Sequence, residues 1–466
     1  MKGLDHIETV YFIGIGGIGM SALARYFLFQ GKKVGGYDRV ESELTNQLTK
    51  EGAAIHYEDN VNLIPEDFKD QKKETLIVYT PAVPANHSEL NYFREHGFTV
   101  LKRSQLLGKI TCSVPGICVA GTHGKTTTSS MIAHLLKQSH VDCSAFLGGI
   151  LRNYDSNLML SRKSDLVVIE ADEYDRSFHT LSPFMAVITS ATPDHLDIFE
   201  TEEAYREAFC HFTSLIKEDG VLLLEKGVDI IPRLHPSVKF YTYSGDVNDL
   251  KKENYPDFYA RNIRIESARI WFDFVTPEKI IPDIELGIPV EINIFNGVAA
   301  MAIAYLNGLT DDELRNGMKS FRGVKRRFDF HIKTDDLVLI DDYAHHPEEL
   351  EASISSVKKL YPEKKLTVIF QPHLYSRTRD FQEEFAKALS LADEVILIPI
   401  YPAREEPIPG VNSEMLLEKI SVSEKQFYTK EELLENIDKQ KREVILIAGA
   451  GDIELLVEPI KKKLYV

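Results

Sequence analysis

In this sequence cysteines are scarce, long apolar runs are missing and basic residues are outnumbered by acidic ones, and each of these features argues against a class of protein. Four cysteines occur in 466 residues, none in a C-x-x-C pair, which argues against a disulfide framework and a cysteine zinc site. No apolar run approaches the ~20 residues of a membrane span, and no basic-then-apolar secretory signal opens the chain. With 54 basic and 71 acidic residues the net charge is −17, which disfavours nucleic acid and anionic membranes as partners. We therefore expect a cytoplasmic protein with reduced thiols.

What is present is the composition and patterning of a globular α/β protein. The hydrophobic fraction of 44% provides for an ample core. At about 150 residues per domain, the length predicts roughly three domains. Strand-like and helix-like segments alternate, which is typical of parallel sheets. We predict a Rossmann-like domain over 1–108, a central P-loop ATPase-like α/β domain with an antiparallel β insert over 109–322, and a Rossmann-like domain over 323–466.

The most informative stretch is Gly116–Ser130, GICVAGTHGKTTTSS. A strand-like run breaks at Gly121, and a helix-like segment over 127–137 follows at once. Glycines let backbone N–H groups wrap a phosphate, a lysine such as Lys125 reaches the outer phosphates, and the next hydroxyl, Thr126, can bind Mg²⁺. The strict P-loop pattern has a glycine where this chain has Val119, so the loop is a shortened variant. It predicts an ATP site.

A second glycine-rich turn follows the first strand-like run of the chain. Gly14, Gly16 and Gly19 fit G-x-G-x-x-G, and Asp38 follows the next strand-like run. This layout is typical of a dinucleotide site, with the pyrophosphate at a helix N-terminus and the acidic side chain on a ribose. NAD(P), another nucleotide diphosphate and a purely structural turn all remain open on this pattern.

Acidic residues end two strand-like runs of the central domain. Glu170, Asp172 and Asp175 follow one run, and Asp194 and His195 follow the next. The carboxyl ends of parallel strands meet at one edge, so these residues are well placed to hold Mg²⁺ beside the phosphate loop. A solvated acidic turn is the alternative, and His195 alone could be structural because Mg²⁺ prefers oxygen.

Four strand-like runs of the last domain also end in residues capable of chemistry. They lead into DDYAHHPEEL, QPHLYSRTRD, IYPAREEPIPG and AGAGDI. His345 or Arg377 alone could be structural, but four such ends indicate a site along one rim of the sheet.

Together the motifs resemble those of the Mur ligase family over nearly the whole chain. They are FIGIGGIGMSALA, AGTHGKTTT, IEADEYDRSF, TPDHLD, GVKRRF, DDYAHHP, QPHLYSRT and AGAGDI, in this order. The resemblance implies an ATP-dependent ligase of peptidoglycan precursor synthesis. It would join L-alanine to the carboxylate of UDP-N-acetylmuramate through an acyl phosphate. The N-terminal pyrophosphate would then belong to a UDP-sugar rather than to NAD.

The resemblance also implies roles for individual residues. Those expected to bind ATP are Gly121, Thr122, His123, Gly124, Lys125, Thr126, Thr127, Asn293, Asn296, Arg326, Arg327 and Asp342. Those expected to bind the UDP substrate are Gly14, Gly16, Gly17, Gly19, Met20, Asp38, Arg39, Asp172 and Asp175. Those expected to bind the amino acid are Tyr343, His345, His346, Arg377 and Arg379. Those expected to bind Mg²⁺, or Mn²⁺ in its place, are Thr126, Glu170 and His195. Those expected to act in catalysis are Lys125, Glu170, His195, Arg327, Asp342 and His345.

One departure and three alternatives qualify this interpretation. The family's adenine-side helix reads H-N-x-x-N, but here Ile292 stands in the histidine's place. A sister ligase that adds a peptide would carry similar motifs. An NAD-linked dehydrogenase or sensor leaves the phosphate loop unexplained, and Lys125, Thr126 and Glu170 argue against a catalytically dead regulator. We expect only small-molecule partners, and a monomer or a homodimer.

Overall fold

A computed structural model of the chain describes residues 4, 6–193, 196–248, 251–403, 405–438 and 442–464. Its residues pack into two compact units. The first comprises Met1–Arg261, Asp273–Pro282 and Phe295–Ser320, and the second comprises Asn262–Phe272, Asp283–Ile294 and Phe321–Val466. No helix among the described residues is long and apolar enough to cross a membrane.

The N-terminal sheet has five parallel strands in the order β3-β2-β1-β4-β5. Its strands are β1 (Thr9–Ile13), β2 (Lys33–Tyr37), β3 (Ala54–His56), β4 (Thr75–Tyr79) and β5 (Thr99–Lys102). Its helices are α1 (Ile18–Phe29), α2 (Glu43–Lys50), α3 (Ser88–Glu95) and α4 (Arg103–Ser113). Strand order reverses at β1, so the glycine-rich turn after β1 lies where such folds bind ligands.

The central sheet has ten strands in the order β15-β14-β13-β12-β11-β10-β6-β9-β7-β8. Its strands are β6 (Gly116–Ala120), β7 (Ser144–Leu151), β8 (Ser156–Met159), β9 (Val167–Glu170), β10 (Met185–Ile188), β11 (Val221–Glu225), β12 (Lys239–Ser244), β13 (Phe258–Glu266), β14 (Arg269–Val275) and β15 (Ile280–Leu286). The associated helices are α5 (Lys125–Lys137), α6 (Leu196–Phe199), α7 (Glu202–Ser214), α8 (Ile292–Leu306) and α9 (Asp311–Ser320). Because β6 lies between β9 and β10, the phosphate loop and the ends of both neighbours share one edge.

The C-terminal sheet has six strands in the order β16-β17-β21-β18-β19-β20. Its strands are β16 (Asp329–Lys333), β17 (Val338–Asp342), β18 (Leu366–Phe370), β19 (Glu394–Leu397), β20 (Glu424–Phe427) and β21 (Val444–Ala448). Its helices are α10 (Pro347–Leu360), α11 (Tyr375–Asp380), α12 (Gln382–Leu389), α13 (Ser413–Lys419), α14 (Lys430–Asn436) and α15 (Glu454–Leu464). The predicted three-domain α/β fold is therefore confirmed.

The first two sheets share one hydrophobic core within the first unit. Tyr26 of α1 packs edge-on against Phe146 of β7, with ring centroids 5.3 Å apart. The Asn157 side chain of β8 donates to the Ile18 carbonyl at 2.9 Å. These contacts fix the N-terminal turn of α1 against the central sheet, which positions the site described below.

Two carboxylates face each other across β16 and β17, and they give the fold a testable pH dependence. Asp329 pairs with Asp341 in the antiparallel register, and both are buried. Burial raises the pKa of Asp341 to about 7; Arg326 and His331 lower it, whereas Asp329 and Asp342 raise it further. Because the pKa of Asp341 is higher in the folded than in the unfolded state, the protonated carboxyl favours folding. This contribution to the free energy of unfolding is fully present below the unfolded-state pKa and is lost as pH rises through about 7.

We expect Asp341→Asn to gain stability relative to the unmodified protein as pH rises. The amide mimics the protonated acid, so the advantage should grow by about 2–3 kcal/mol between about pH 5 and about pH 8. Thermal unfolding over this range measures it, with the exposed Asp336→Asn as the matched control. Parallel pH curves for Asp341→Asn and the unmodified protein would contradict the assignment.

Candidate functional site

The phosphate loop turns between β6 and α5 on two glycines with positive φ. Gly121 has φ 143°, and a Cβ there would lie 2.1 Å from Thr189 Oγ1. Gly124 has φ 80° and caps α5 in the left-handed conformation. This cap starts the helix at Lys125, two residues before the helix-like segment predicted over 127–137. The reactive lysine and the two threonines after it therefore lie in the first turn of a helix, where a phosphate binds well.

Side chains anchor the loop to its neighbours. Thr122 Oγ1 donates to the Thr192 carbonyl at 2.7 Å and lies 2.8 Å from the Tyr205 hydroxyl. The His123 N–H donates to Ser190 Oγ at 2.9 Å. The Thr122 side chain therefore holds the loop in shape.

Lys125 folds back onto its own loop. Its Nζ donates to the Gly121 carbonyl at 2.5 Å and to the Thr122 carbonyl at 3.2 Å. It also pairs with the carboxylate of Glu173, with 2.8 Å from Nζ to Oε2. Burial raises the pKa of Glu173, whereas Lys125 lowers it. A phosphate bound in the loop would compete with Glu173 for the ammonium group.

Two of the predicted metal ligands are neighbours. Thr126 Oγ1 donates to Glu170 Oε1 at 3.1 Å, and the Gly148 N–H donates to Glu170 Oε2 at 3.1 Å. These hard oxygen donors fit Mg²⁺ or Mn²⁺. The third predicted ligand, His195, lies outside the described residues, as does Asp194.

The N-terminal turn is shaped by Asp38. Its Oδ2 accepts the Gly16 N–H at 2.7 Å, and its Oδ1 accepts the Val40 N–H at 3.3 Å. A Cβ on Gly16 would lie 2.8 Å from Thr45 Cγ2, and Gly14 has φ 86°. The Asp38 carboxylate, which is expected to bind a ribose, thus stabilises the turn through these hydrogen bonds.

The other residues expected to bind UDP differ in accessibility. Gly17 caps α1, and Gly19 lies in its first turn. The Met20 side chain is 2% exposed and lies in the core, whereas Arg39 is exposed. Asp175 is exposed and accepts a hydrogen bond from the Ser177 hydroxyl.

A cavity of about 280 Å³ separates α1 from the ends of the central strands. Gly19, Glu170 and Asp172 line it, so it joins residues expected to bind UDP with a predicted metal ligand. Arg103, at the start of α4, also lines it.

In the C-terminal domain, four side chains form a continuous cluster. The rings of Tyr343 and His345 are 5.2 Å apart, and those of His345 and His373 are 5.9 Å apart. Arg377 Nη1 lies 3.4 Å from His373 Nδ1. Burial lowers the pKa of His345, and burial together with Arg377 and His345 lowers that of His373 to about 4. Burial thus favours the neutral form of both imidazoles.

Two predicted amino-acid ligands lie apart from this cluster. Arg379 is exposed and pairs with Asp380 at 2.7 Å. His346 is the N-cap residue of α10, and its ring centroid lies 5.0 Å from that of Phe381.

Arg326 and Arg327 lie against the ring of Tyr343, with their guanidinium carbons 4.7 Å and 5.1 Å from its centroid. Asp342 is buried, accepts the Phe328 N–H at 3.2 Å and is hydrogen-bonded by the Ser353 hydroxyl. Burial raises the pKa of Asp342, and Arg327 lowers it. Arg326, Arg327 and Asp342, all expected to bind ATP, thus form a compact group with Tyr343.

The two asparagines on the predicted adenine side make different contacts. Asn293 is buried and donates to the Ile288 carbonyl at 3.4 Å. Asn296 Oδ1 accepts the Thr128 hydroxyl at 3.0 Å, which places it against the phosphate-loop helix. Ile292, where the family has histidine, is 55% exposed.

Comparison with known families identifies the chain. Three family models match in sequence: "Mur ligase family, catalytic domain" at residues 9–114, "Mur ligase middle domain" at 119–304 and "Mur ligase, glutamate ligase domain" at 326–451. The chain belongs to the Mur ligase family. The family resemblance inferred from the ordered motifs is thereby confirmed.

Named relatives of this Mur ligase cover its whole length. A UDP-N-acetylmuramate–L-alanine ligase of Parabacteroides distasonis is 63% identical over 98% of each chain. One of Christiangramia forsetii is 46% identical over 100% of this chain and 99% of that one. The crystal structure of UDP-N-acetylmuramate-alanine ligase from Thermotoga maritima covers 98% of this chain and 99% of that one, with 27% identity and a TM-score of 0.78.

The sequence motifs assign no individual role to three residues of this Mur ligase site. Glu173 stands inside the quoted motif IEADEYDRSF, and His373 stands inside QPHLYSRT, so the motifs could have found both. Arg103 stands in no motif. Only the packing of α4 beside the cavity reveals it.

We expect Glu170→Gln to weaken Mg²⁺ binding at this site of the Mur ligase. Loss of one carboxylate oxygen charge should raise the Mg²⁺ concentration for half-maximal phosphate release at least about tenfold. Metal titration of the activity measures it, with the exposed Glu203→Gln as the control. An unchanged Mg²⁺ requirement would remove Glu170 from the metal site.

Proposed function

We propose that this protein joins L-alanine to the carboxylate of UDP-N-acetylmuramate at the expense of ATP, in peptidoglycan precursor synthesis. The observation that carries the proposal is full-length identity of 63% to a ligase of that name. The paired Thr126 and Glu170 beside a phosphate loop support it, since amide formation from a carboxylate needs a phosphoryl donor.

The muramoyl carboxylate is a poor electrophile, so it must first be activated. Its oxygen attacks the γ-phosphorus of ATP, ADP leaves, and an acyl phosphate forms. Lys125, released from Glu173, moves onto the outer phosphates and neutralises the charge that develops there. The N–H groups of the first turn of α5 hold the phosphates in place.

Thr126 and Glu170 are the described residues that would hold Mg²⁺. When bound there, the ion would supply charge neutralisation on the phosphates. His195 is proposed as a further ligand on the family pattern alone.

The amino acid needs a cation for its carboxylate and a proton acceptor for its ammonium group. Arg377 supplies the fork geometry that suits a carboxylate. Burial lowers the pKa of His345 and favours the neutral imidazole, which can take the proton whose loss makes the amine nucleophilic. The amine then attacks the acyl phosphate, and inorganic phosphate leaves.

The first domain is proposed to hold the UDP portion, with the pyrophosphate at the N-terminus of α1. Domain boundaries after residues 108 and 322, a cytoplasmic location and a monomeric or homodimeric state remain predictions. So do the adenine contacts of Asn293 and Asn296.

One assay separates the proposal from its alternatives. Phosphate release from ATP is measured with UDP-N-acetylmuramate and, in turn, L-alanine, glycine, L-serine or a tripeptide, and NADH oxidation is followed in parallel. We expect the highest kcat/KM with L-alanine and no NADH oxidation. Preference for the tripeptide would indicate the sister ligase, and NADH turnover without phosphate release would indicate a dehydrogenase.

A further inference from the structure

The cavity between α1 and the central strands has a single cationic side chain among its described lining residues. That residue is Arg103, and the acidic groups Glu170 and Asp172 line the same space. The remaining walls are apolar or glycine: Ile18, Gly19, Ala22, Leu107, Phe146, Leu147 and Gly148. The cavity therefore combines an apolar body with a few convergent charges, as small-molecule sites do.

Packing fixes the position of Arg103. A Cβ on Gly19 would lie 2.8 Å from Arg103 Nη1, so the guanidinium rests directly on the glycine of α1. Its own helix, α4, is held in place because Gly108 lies against the Thr180 carbonyl, where a Cβ would come within 2.1 Å. The Thr180 hydroxyl also donates to the Ser104 carbonyl at 2.8 Å.

The Arg103 guanidinium has no partner of its own within the described part of the chain. It makes no hydrogen bond or ion pair with any described residue, although it is half-buried. The carboxylates of the cavity are engaged elsewhere: Glu170 accepts from Thr126 and Gly148, and Asp172 accepts the Tyr174 N–H at 3.1 Å. A half-buried guanidinium without a counter-charge is disfavoured, and an anionic ligand would remove that cost.

We propose that Arg103 binds the lactoyl carboxylate of the UDP-sugar and so selects the muramoyl sugar over sugars without that acid. This rests on the proposed function. Of the glycines in the N-terminal turn, Gly19 alone lines the described cavity, which places the cavity beyond the expected pyrophosphate position. Glu170, at its other end, neighbours the phosphate loop, where the reacting carboxylate must arrive.

Calorimetric titration of the full chain with two UDP-sugars tests the proposal. UDP-N-acetylglucosamine lacks only the lactoyl ether of UDP-N-acetylmuramate, so it isolates the carboxylate. We expect Arg103→Ala to weaken UDP-N-acetylmuramate binding at least about tenfold and to leave UDP-N-acetylglucosamine binding within about threefold. Arg103→Lys should fall between, because lysine keeps the charge and loses the fork. Lys109→Ala, exposed on the same helix, is the matched control and should change neither.

The other outcomes overturn the inference. Equal losses for both sugars would show that Arg103 does not act through the lactoyl carboxylate, and no loss for either would show that it does not contact the substrate. Retained binding of UDP-N-acetylglucosamine also shows that the variant is folded. If the unmodified protein binds neither sugar, the proposed function itself fails, which is a separate result.

Discussion

Lys125→Ala should slow phosphate release by roughly 10²–10³-fold while leaving the affinity for UDP-N-acetylmuramate within a few-fold of the unmodified protein. The ammonium group would face the outer phosphates of ATP, where it offsets charge that grows in the transition state. Loss of one such group lowers the rate by roughly 10²–10³-fold. Most residues expected to bind UDP lie after β1 and β2, on a different sheet, whereas Asp172 and Asp175 follow β9 of the central sheet. Phosphate release and calorimetry with the UDP-sugar measure the two effects.

Two controls make this result specific to Lys125. Lys163→Ala removes an exposed lysine and should leave both measurements unchanged. Glu173→Gln removes the carboxylate that holds Lys125 but leaves the lysine present, so it should retain measurable phosphate release. Loss of UDP-sugar binding in Lys125→Ala would show that our division of the two sites is wrong.

Arg377→Ala should raise the L-alanine requirement strongly and leave acyl phosphate formation nearly intact. Arg377 is proposed to bind only the amino acid, and loss of a charged hydrogen bond costs about 1.5–3 kcal/mol, roughly 10- to 100-fold in apparent affinity. Positional isotope exchange within the γ-phosphate of labelled ATP reports the earlier step. It is measured with UDP-N-acetylmuramate, Mg²⁺ and no amino acid.

The chain offers a control for this arginine on the next helix. Lys387 of α12 is exposed, and no role at the site is expected of it. Lys387→Ala should leave both the L-alanine requirement and the isotope exchange near normal. If exchange collapses in Arg377→Ala, Arg377 acts in acyl phosphate formation, and the amino-acid role must pass to His345, His346 or Arg379.

Much of the site could be predicted because it depends on local pattern. Glycine, lysine and threonine in order fix the phosphate loop, and the edge shared by parallel strands predicts that Thr126 and Glu170 meet, as they do at 3.1 Å. The start of α5 at Lys125 was harder to predict, because it depends on the left-handed conformation of Gly124.

The remainder depends on packing that no local pattern records. Glu173 lies three residues after the end of β9, outside any regular strand or helix, and its 2.8 Å contact with Lys125 depends on how the two segments pack. The sequence alone could have predicted that Arg377 and Arg379 point to different sides of their helix, since residues two apart on a helix do not share a face.

Arg103 and Met20 both show that position in the sequence does not predict which side chains line the site. Arg103 enters the site because α4 packs on Thr180, a contact between distant parts of the chain. Met20 stands beside the glycine motif but turns into the core. Position in the sequence alone thus suggests a substrate contact for Met20 and none for Arg103.

The most direct test of the central claim is the product itself. Full-length protein is incubated with ATP, Mg²⁺, UDP-N-acetylmuramate and isotope-labelled L-alanine, and the UDP-sugar fraction is analysed by mass spectrometry. We predict one labelled alanine per product molecule, joined as an amide, with ADP and phosphate formed in equal amounts. ATP consumption without label in the UDP-sugar, or label that appears without ATP, would contradict the account.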